Sequence, residues 1–295
     1  MIAALDIGGT KISIALLDGA KILERSEVRT PEPATPEEVS SAVIRLLEPF
    51  KTRVSRLGVA ATGRVANGRV TALNSKTLTG WTDFDLQTTL ENALNLETVV
   101  LNDADAAAWG EAAFGAGFGV HDFVFMTIST GVGGGLILNS RLHTTPFGLQ
   151  ADLGFTLVNG VPLEFVASGK ALDAYAVSRG WSDARDVIAN AANDTDANAK
   201  LEESAGLIAA KLADLRVTLG ITRAVIGGGL GLAPGYLERL KTNLEKLGSL
   251  YHLELVPAAL GVDAGLIGAA DWTRQNLGDG LRPSPTPSPT EKVTP

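Results

Sequence analysis

One pattern occurs twice in this chain, and that repetition limits the possible fold more than any other feature. Near the start, Ala3, Leu5 and Ile7 lead into Gly8-Gly9-Thr10, after which Ile12, Ile14 and Leu16 alternate with Lys11, Ser13 and Ala15. Alternation on both sides of a glycine turn predicts a β-hairpin over 2–18. A second copy runs through Phe125-Met126-Thr127-Ile128, then Ser129-Thr130-Gly131-Val132-Gly133-Gly134-Gly135, then Leu136-Ile137-Leu138. Two hairpins alike in pattern and turn chemistry predict two related domains facing each other, with a ligand cleft between them. Two ordinary glycine turns would look similar, but the length of the second glycine run argues against that.

The segments around the hairpins alternate in type. Thr35-Pro36-Glu37-Glu38 opens a helix as N-cap, first helical residue and capping box, and Val39, Val43, Leu46 and Leu47 keep helical spacing. A strand over 57–61 ends in Thr62-Gly63. Another over 98–101 ends in Asn102-Asp103, and an alanine-rich helix starts near Ala104. Ala224-Val225-Ile226 reads as a buried strand before Gly227-Gly228-Gly229, with helices following over 234–247 and 263–277. Alternating strands and helices predict an α/β fold. The expected division is a small domain over 1–117, a second over 118–277 whose closing helix packs back on the first, and a disordered Pro/Ser/Thr tail over 278–295.

Composition excludes several classes. The net charge is −8, so no broad basic field exists for nucleic acid or anionic lipid. No stretch approaches the ~18 apolar residues of a membrane helix. There are no cysteines, hence no disulfide and no thiolate metal site. With no signal-peptide pattern at Met1–Asp6, these features predict a cytoplasmic protein.

The glycine turns suggest anion binding, because glycine lets backbone N–H groups approach an anion closely. Gly8 and Gly9 could cradle a phosphate, with Thr10 and Lys11 adding donors, and Asp6 at a strand end could orient Mg²⁺ or its waters. Thr130, Gly131 and Gly133 offer a second cradle. Gly227, Gly228 and Gly229 could let an adenine or ribose lie on bare backbone. Each glycine set is also compatible with a tight turn. Asn102-Asp103, where a strand ends and a helix begins, reads either as a helix cap or as a carboxylate base at the carboxyl edge of a sheet.

Taken in order and spacing, Asp6-x-Gly8-Gly9-Thr10-Lys11, Asn102-Asp103-Ala104 and Ser129-Thr130-Gly131-x-Gly133-Gly134-Gly135 resemble the ROK family, named for repressors, open reading frames and kinases. The resemblance spans about 1–277. It implies the two-domain actin-like/hexokinase-like ATPase fold, with ribonuclease H-like domains around an interdomain cleft. It also implies ATP- and Mg²⁺-dependent phosphorylation of the 6-hydroxyl of an amino sugar, N-acetylmannosamine ahead of glucose, in sialic acid breakdown. Asp103 would be the base, Gly63, Asn74, Asn102, Asp152 and Glu164 would contact the sugar, and the chain would form a homodimer. The family pattern Glu-x-Gly-His, a Cys-rich loop and Glu-x-x-x-Ser-Gly departs here to Asp152-Leu153-Gly154-Phe155, a short loop over 158–163, and Glu164 through Gly169. The His and three Cys that hold a structural zinc in the family are all replaced, so no zinc is expected. The altered 152–155 stretch leaves a catalytically silent sugar-binding protein as a rival. A DNA-binding repressor would need a reading head before the first hairpin, which begins at residue 2.

Overall fold

A computed structural model describes residues 1–73 and 78–277; Asn74 and the tail expected from 278 lie outside the described residues. Two five-stranded sheets organise the chain. In the first the order is Lys21–Arg29, Lys11–Asp18, Ile2–Ile7, Arg56–Ala61, Glu97–Asn102. In the second it is Arg141–Leu142, Val132–Leu138, Phe123–Ile128, Arg223–Gly227, Glu254–Pro257. Each sheet starts as an antiparallel meander and continues with two parallel strands. The duplicated hairpin in the sequence is therefore the visible part of a duplicated sheet.

Alternation along the strands explains the layering. Leu5, Ile7, Ile12, Ile14 and Leu16 point outward into a core shared with the helices Pro36–Leu47 and Leu86–Leu94. The opposite face carries small residues, Ala4, Ala15 and Ala60, in a central cluster with Phe123, Phe125 and Val225 from the second sheet. Two helices, Asp103–Phe114 and Ala264–Leu277, fill that central layer. Glycine makes their crossing close: a Cβ on Gly268 would lie 1.7 Å from the Ala106 carbonyl oxygen, and one on Gly110 would lie 2.5 Å from that of Ala264. The helix Ala264–Leu277 also packs on the first sheet, where a Cβ on Gly58 would lie 2.4 Å from the Ala269 oxygen. The outer face of the second sheet, with Val124, Met126 and Ile128, packs on the long helix Thr195–Leu219 and its neighbours.

Local signals act as read, with one shift. The Thr35 hydroxyl accepts the Glu38 N–H at 3.3 Å and caps its helix. The helix expected from Pro234 instead runs Tyr236–Leu247, because Gly235 stands before it at φ 78°, a left-handed conformation that a helical residue cannot adopt. The short loop over 158–163 closes as a two-stranded hairpin, Leu157–Val158 on Val161–Pro162, turning through Asn159 (φ 50°) and Gly160 (φ 81°).

Candidate active site

A cavity of about 780 Å³ lies between the sheets, lined by residues of both hairpin turns, the Thr62-Gly63 turn, the start of the helix Asp103–Phe114 and the segment over 151–174. Asn102 and Asp103 divide their tasks at its floor. The Asn102 side chain is the N-cap: its Oδ1 accepts N–H groups of Ala104 (2.9 Å) and Asp105 (3.1 Å), while its Nδ2 donates to the Gly63 carbonyl at 2.9 Å. One side chain thus ties the helix start to the turn after the neighbouring strand. Asp103 becomes the first helical residue, partly exposed into the cavity. Burial pushes its carboxyl up to about 6, and the nearby Asp6 charge adds to the rise; the N–H groups of Ala104 and Asp103 and the Thr62 hydroxyl oppose it. A carboxyl with that affinity is ionised at neutral pH yet takes a proton more readily than an ordinary aspartate.

The first turn splits. Gly9 and Thr10 line the cavity, whereas Asp6, Gly8 and Lys11 do not. The Gly8 N–H is spent on the Lys11 carbonyl at 3.1 Å, and the Lys11 ammonium pairs with Glu27 at 3.0 Å, both side chains about half exposed. Asp6 is held high by burial, with Lys11 and Arg25 pulling it back.

In the second turn Thr130, Gly131 and Gly133 all line the cavity. A Cβ on Gly133 would meet the Ala104 Cβ at 3.3 Å, and one on Gly135 would meet the Ala108 Cβ at 2.5 Å. The glycine run therefore serves packing too: it lets this strand lie flush on the helix that begins at Asp103. Glu164 leans over the turn, since a Cβ on Gly131 would lie 2.7 Å from its Oε2. Gly227, Gly228 and Gly229 stand outside the lining. Gly227 and Gly228 pack on Phe125 and Ile128, while Gly229 faces open space.

Asp152 and Phe155 line the cavity; the Asp152 carboxyl is raised by burial and lowered by a Gln150 backbone N–H and the Arg64 charge. Two functional candidates were not legible in the sequence. Lys170 carries the one positive charge among the described lining residues; its N–H bonds the Thr130 carbonyl at 3.2 Å, beside the Gly169 N–H to Ser129 oxygen bond at 2.7 Å. Asp105 is buried, its Oδ2 accepting from Gln150 at 2.5 Å while its Oδ1 has no hydrogen-bond partner. Burial pushes Asp105 up to about 7, with Asp152 and Asp103 adding and Gln150 opposing. No local pattern marks either residue, because each partner is supplied by a distant segment. Among the described residues no three His, Cys, Asp or Glu side chains are grouped to hold a metal ion, and no helix is long and apolar enough to cross a membrane.

This geometry has relatives. The ROK family profile matches residues 2–276. The chain belongs to the ROK family. It is 39% identical over 290 residues to an N-acetylmannosamine kinase of Haemophilus influenzae, covering 94% of this chain and 96% of that enzyme. Among solved structures, the ROK family glucokinase from Streptomyces griseus, in complex with glucose and AMPPNP, superposes with a TM-score of 0.79 at 31% identity, covering 92% of this chain and 99% of that one. The ROK hexokinase from Thermus thermophilus gives 0.77 at 31% identity, covering 91% and 96%. The resemblance drawn from the three motifs thus extends to nearly the whole of this ROK chain, as does the actin-like, hexokinase-like fold.

Proposed function

We propose that this ROK protein is an ATP-dependent sugar kinase that phosphorylates the 6-hydroxyl of N-acetylmannosamine. The observation that carries the reading is Asp103: freed from capping by Asn102, it faces the cavity next to glycine turns from both sheets. A sugar hydroxyl has a high pKa, and phosphoryl transfer is helped when a carboxylate within reach accepts its proton. In this reading residues 1–117 with the closing helix form one lobe and 118–263 the other. The terminal phosphate lies against Gly9, Thr10, Thr130, Gly131 and Gly133, with Lys170 offsetting its charge. Gly63, Asp152 and Glu164 meet sugar hydroxyls; Asn102 acts by fixing Gly63, and Phe155 offers an apolar face to the ring or acetyl methyl. Gly229 leaves bare backbone where the nucleoside can lie.

A divalent cation fits the donor set. Asp6 and Asp103 are close enough for the charge of one to raise the other, and Mg²⁺ favours one or two carboxylates together with phosphate oxygens and water. When bound it would neutralise phosphate charge; Asp6 would hold its waters, and proton transfer stays with Asp103. Zinc is not part of the proposal, since the loop over 158–163 closes through its own turn. In this reading the protein works in the cytoplasm, where ATP is available, as a homodimer.

The test is ADP release measured with N-acetylmannosamine, glucose, mannose and N-acetylglucosamine. We expect kcat/KM for N-acetylmannosamine to exceed that for glucose at least tenfold. Glucose ahead would favour the second reading, a glucokinase, which the Streptomyces likeness supports. No turnover with any of the four would leave a silent sugar-binding protein.

A further inference from the structure

The chain passes between the two halves at two places, outward over 115–122 after the helix Asp103–Phe114, and back over 258–263 before the helix Ala264–Leu277. One side chain holds both passages. Glu111 is fully buried. Its Oε2 accepts the Ala116 N–H at 2.7 Å on the outward passage, and also the Ala259 N–H at 3.1 Å on the return. Its Oε1 accepts the Leu260 N–H at 2.8 Å. Its own carbonyl takes the N–H groups of Gly115 and Gly117, each at 3.0 Å. Gly115 is required here, because a Cβ at that position would lie 2.0 Å from Glu111 Oε2.

A buried carboxylate needs several donors to offset its desolvation, and here the backbone of two separate strands of chain supplies them. Each passage alone could rotate about its own φ and ψ. Joined through one rigid group, they must rotate together. The same helix begins with Asp103, eight residues and roughly 12 Å away at 1.5 Å per residue, so the pivot and the base share one rigid element.

We propose that Glu111 is a positioning residue for catalysis: by clamping the outward and return passages to one helix, it makes the halves close as a single hinge over the cleft. This rests on the two-substrate reading above. Without the clamp, each passage bends separately, closure becomes less defined, and the binding of sugar and nucleotide is less tightly coupled.

Two variants test it. Glu111→Gln keeps the shape but replaces one acceptor oxygen with an NH₂ group that cannot accept an N–H. Ala259→Pro keeps the carboxylate and removes one donor from the return passage. For wild type and both variants, the affinity for N-acetylmannosamine would be measured with and without AMPPNP, along with kcat, folding by circular dichroism, and the contraction in small-angle X-ray scattering when AMPPNP is added. Trp109 and Trp272, one on each central helix with ring centroids 5.0 Å apart, give a fluorescence check that the packing of those two helices survives each substitution. We expect folded variants to lose at least fivefold in sugar–AMPPNP coupling and in kcat, with a reduced contraction. Folded variants within twofold of wild type in coupling, kcat and contraction would overturn the proposal, whatever their melting temperature, as would a wild type that neither contracts nor couples. If Glu111→Gln does not fold, Ala259→Pro decides alone. A wild type that contracts with AMPPNP but turns over no sugar would count against the kinase reading and not against the hinge.

Discussion

Asn102 and Asp103 show how neighbouring residues of similar chemistry come to do different work. Asn102 has both an acceptor and donors, so it can cap the helix and still bind Gly63. An ionised aspartate there would lack the donor. Asp103 accepts the Ala104 N–H at 2.9 Å, has its own N–H and the Thr62 hydroxyl beside its carboxyl, and keeps an open face to the cavity. Asp103→Asn should cut kcat by 10²–10⁴, the usual range for loss of a general base. It should not lower stability at pH 7.5, because the burial that raises the carboxyl makes its charged form a cost to the fold. Turnover near wild type, or a clear fall in the urea midpoint, would count against this assignment. In the wild type, kcat/KM should drop as pH falls through about 6, where Asp103 takes up a proton. Asp105 acts at one remove. Its bond to Gln150 anchors the loop that carries Asp152, and Arg64 grips the same loop at the Phe147 carbonyl, 3.1 Å away. Gln150→Leu should therefore raise the sugar KM severalfold while leaving the KM for ATP within twofold; an equal rise in both would remove this role.

Elements are placed by contacts that the sequence encodes unevenly. Two helical glycines make the point. A Cβ on Gly206, within Thr195–Leu219, finds its nearest neighbour at 3.7 Å, whereas one on Gly268 would run into the Ala106 backbone. Gly206→Ala should stabilise the protein by about 0.5–1 kcal/mol through helix propensity. Gly268→Ala should destabilise it by about 2–3 kcal/mol, because two backbones must part. Denaturant midpoints of the two variants should move in opposite directions. The hairpins were legible because alternation and turn glycines act within a few residues. The Thr35 cap and the Asn102 helix start were legible for the same reason. The glycine run suggested a phosphate cradle, but the packing of Gly133 on Ala104 and of Gly135 on Ala108 depends on a helix some thirty residues earlier and could not be seen. Lys170, the Asp105–Gln150 bond and the Glu111 clamp were hidden likewise, since each is defined by a partner that only the tertiary fold brings near.

At the scale of the whole molecule, the cleft and the layer just behind it hold carboxylates whose charged forms the fold disfavours. Asp6, Asp103, Asp105 and Asp152 are all raised, with burial the leading cause in each. Carboxylates nearer the surface, the exposed Glu24 and Glu27 and the partly exposed Asp194, are lowered, chiefly by hydrogen bonds from Arg53, Lys11 and the Ala197 N–H. The two groups act in different windows. A lowered carboxylate adds stability that is lost as pH falls through the acid range, below about 4.5. A raised carboxylate holds its proton in the folded state after the unfolded chain has released it, so it adds stability at low pH that is lost as pH rises through the folded value. With Asp103 at about 6 and Asp105 at about 7, the second effect governs the interval between pH 5.5 and 7.5. The urea midpoint should therefore be higher at pH 5.5 than at 7.5, by a difference on the order of 2 kcal/mol in unfolding free energy if both groups contribute. Asp103→Asn combined with Asp105→Asn should flatten that dependence, since an amide has no proton to lose in this range. A wild-type midpoint that climbs from pH 5.5 to 7.5 would mean that cations or water reach the cleft carboxylates and hold them in their charged form. The base would then carry the ordinary affinity of a solvated aspartate, and the fall in kcat/KM expected near pH 6 should move below pH 5 with it.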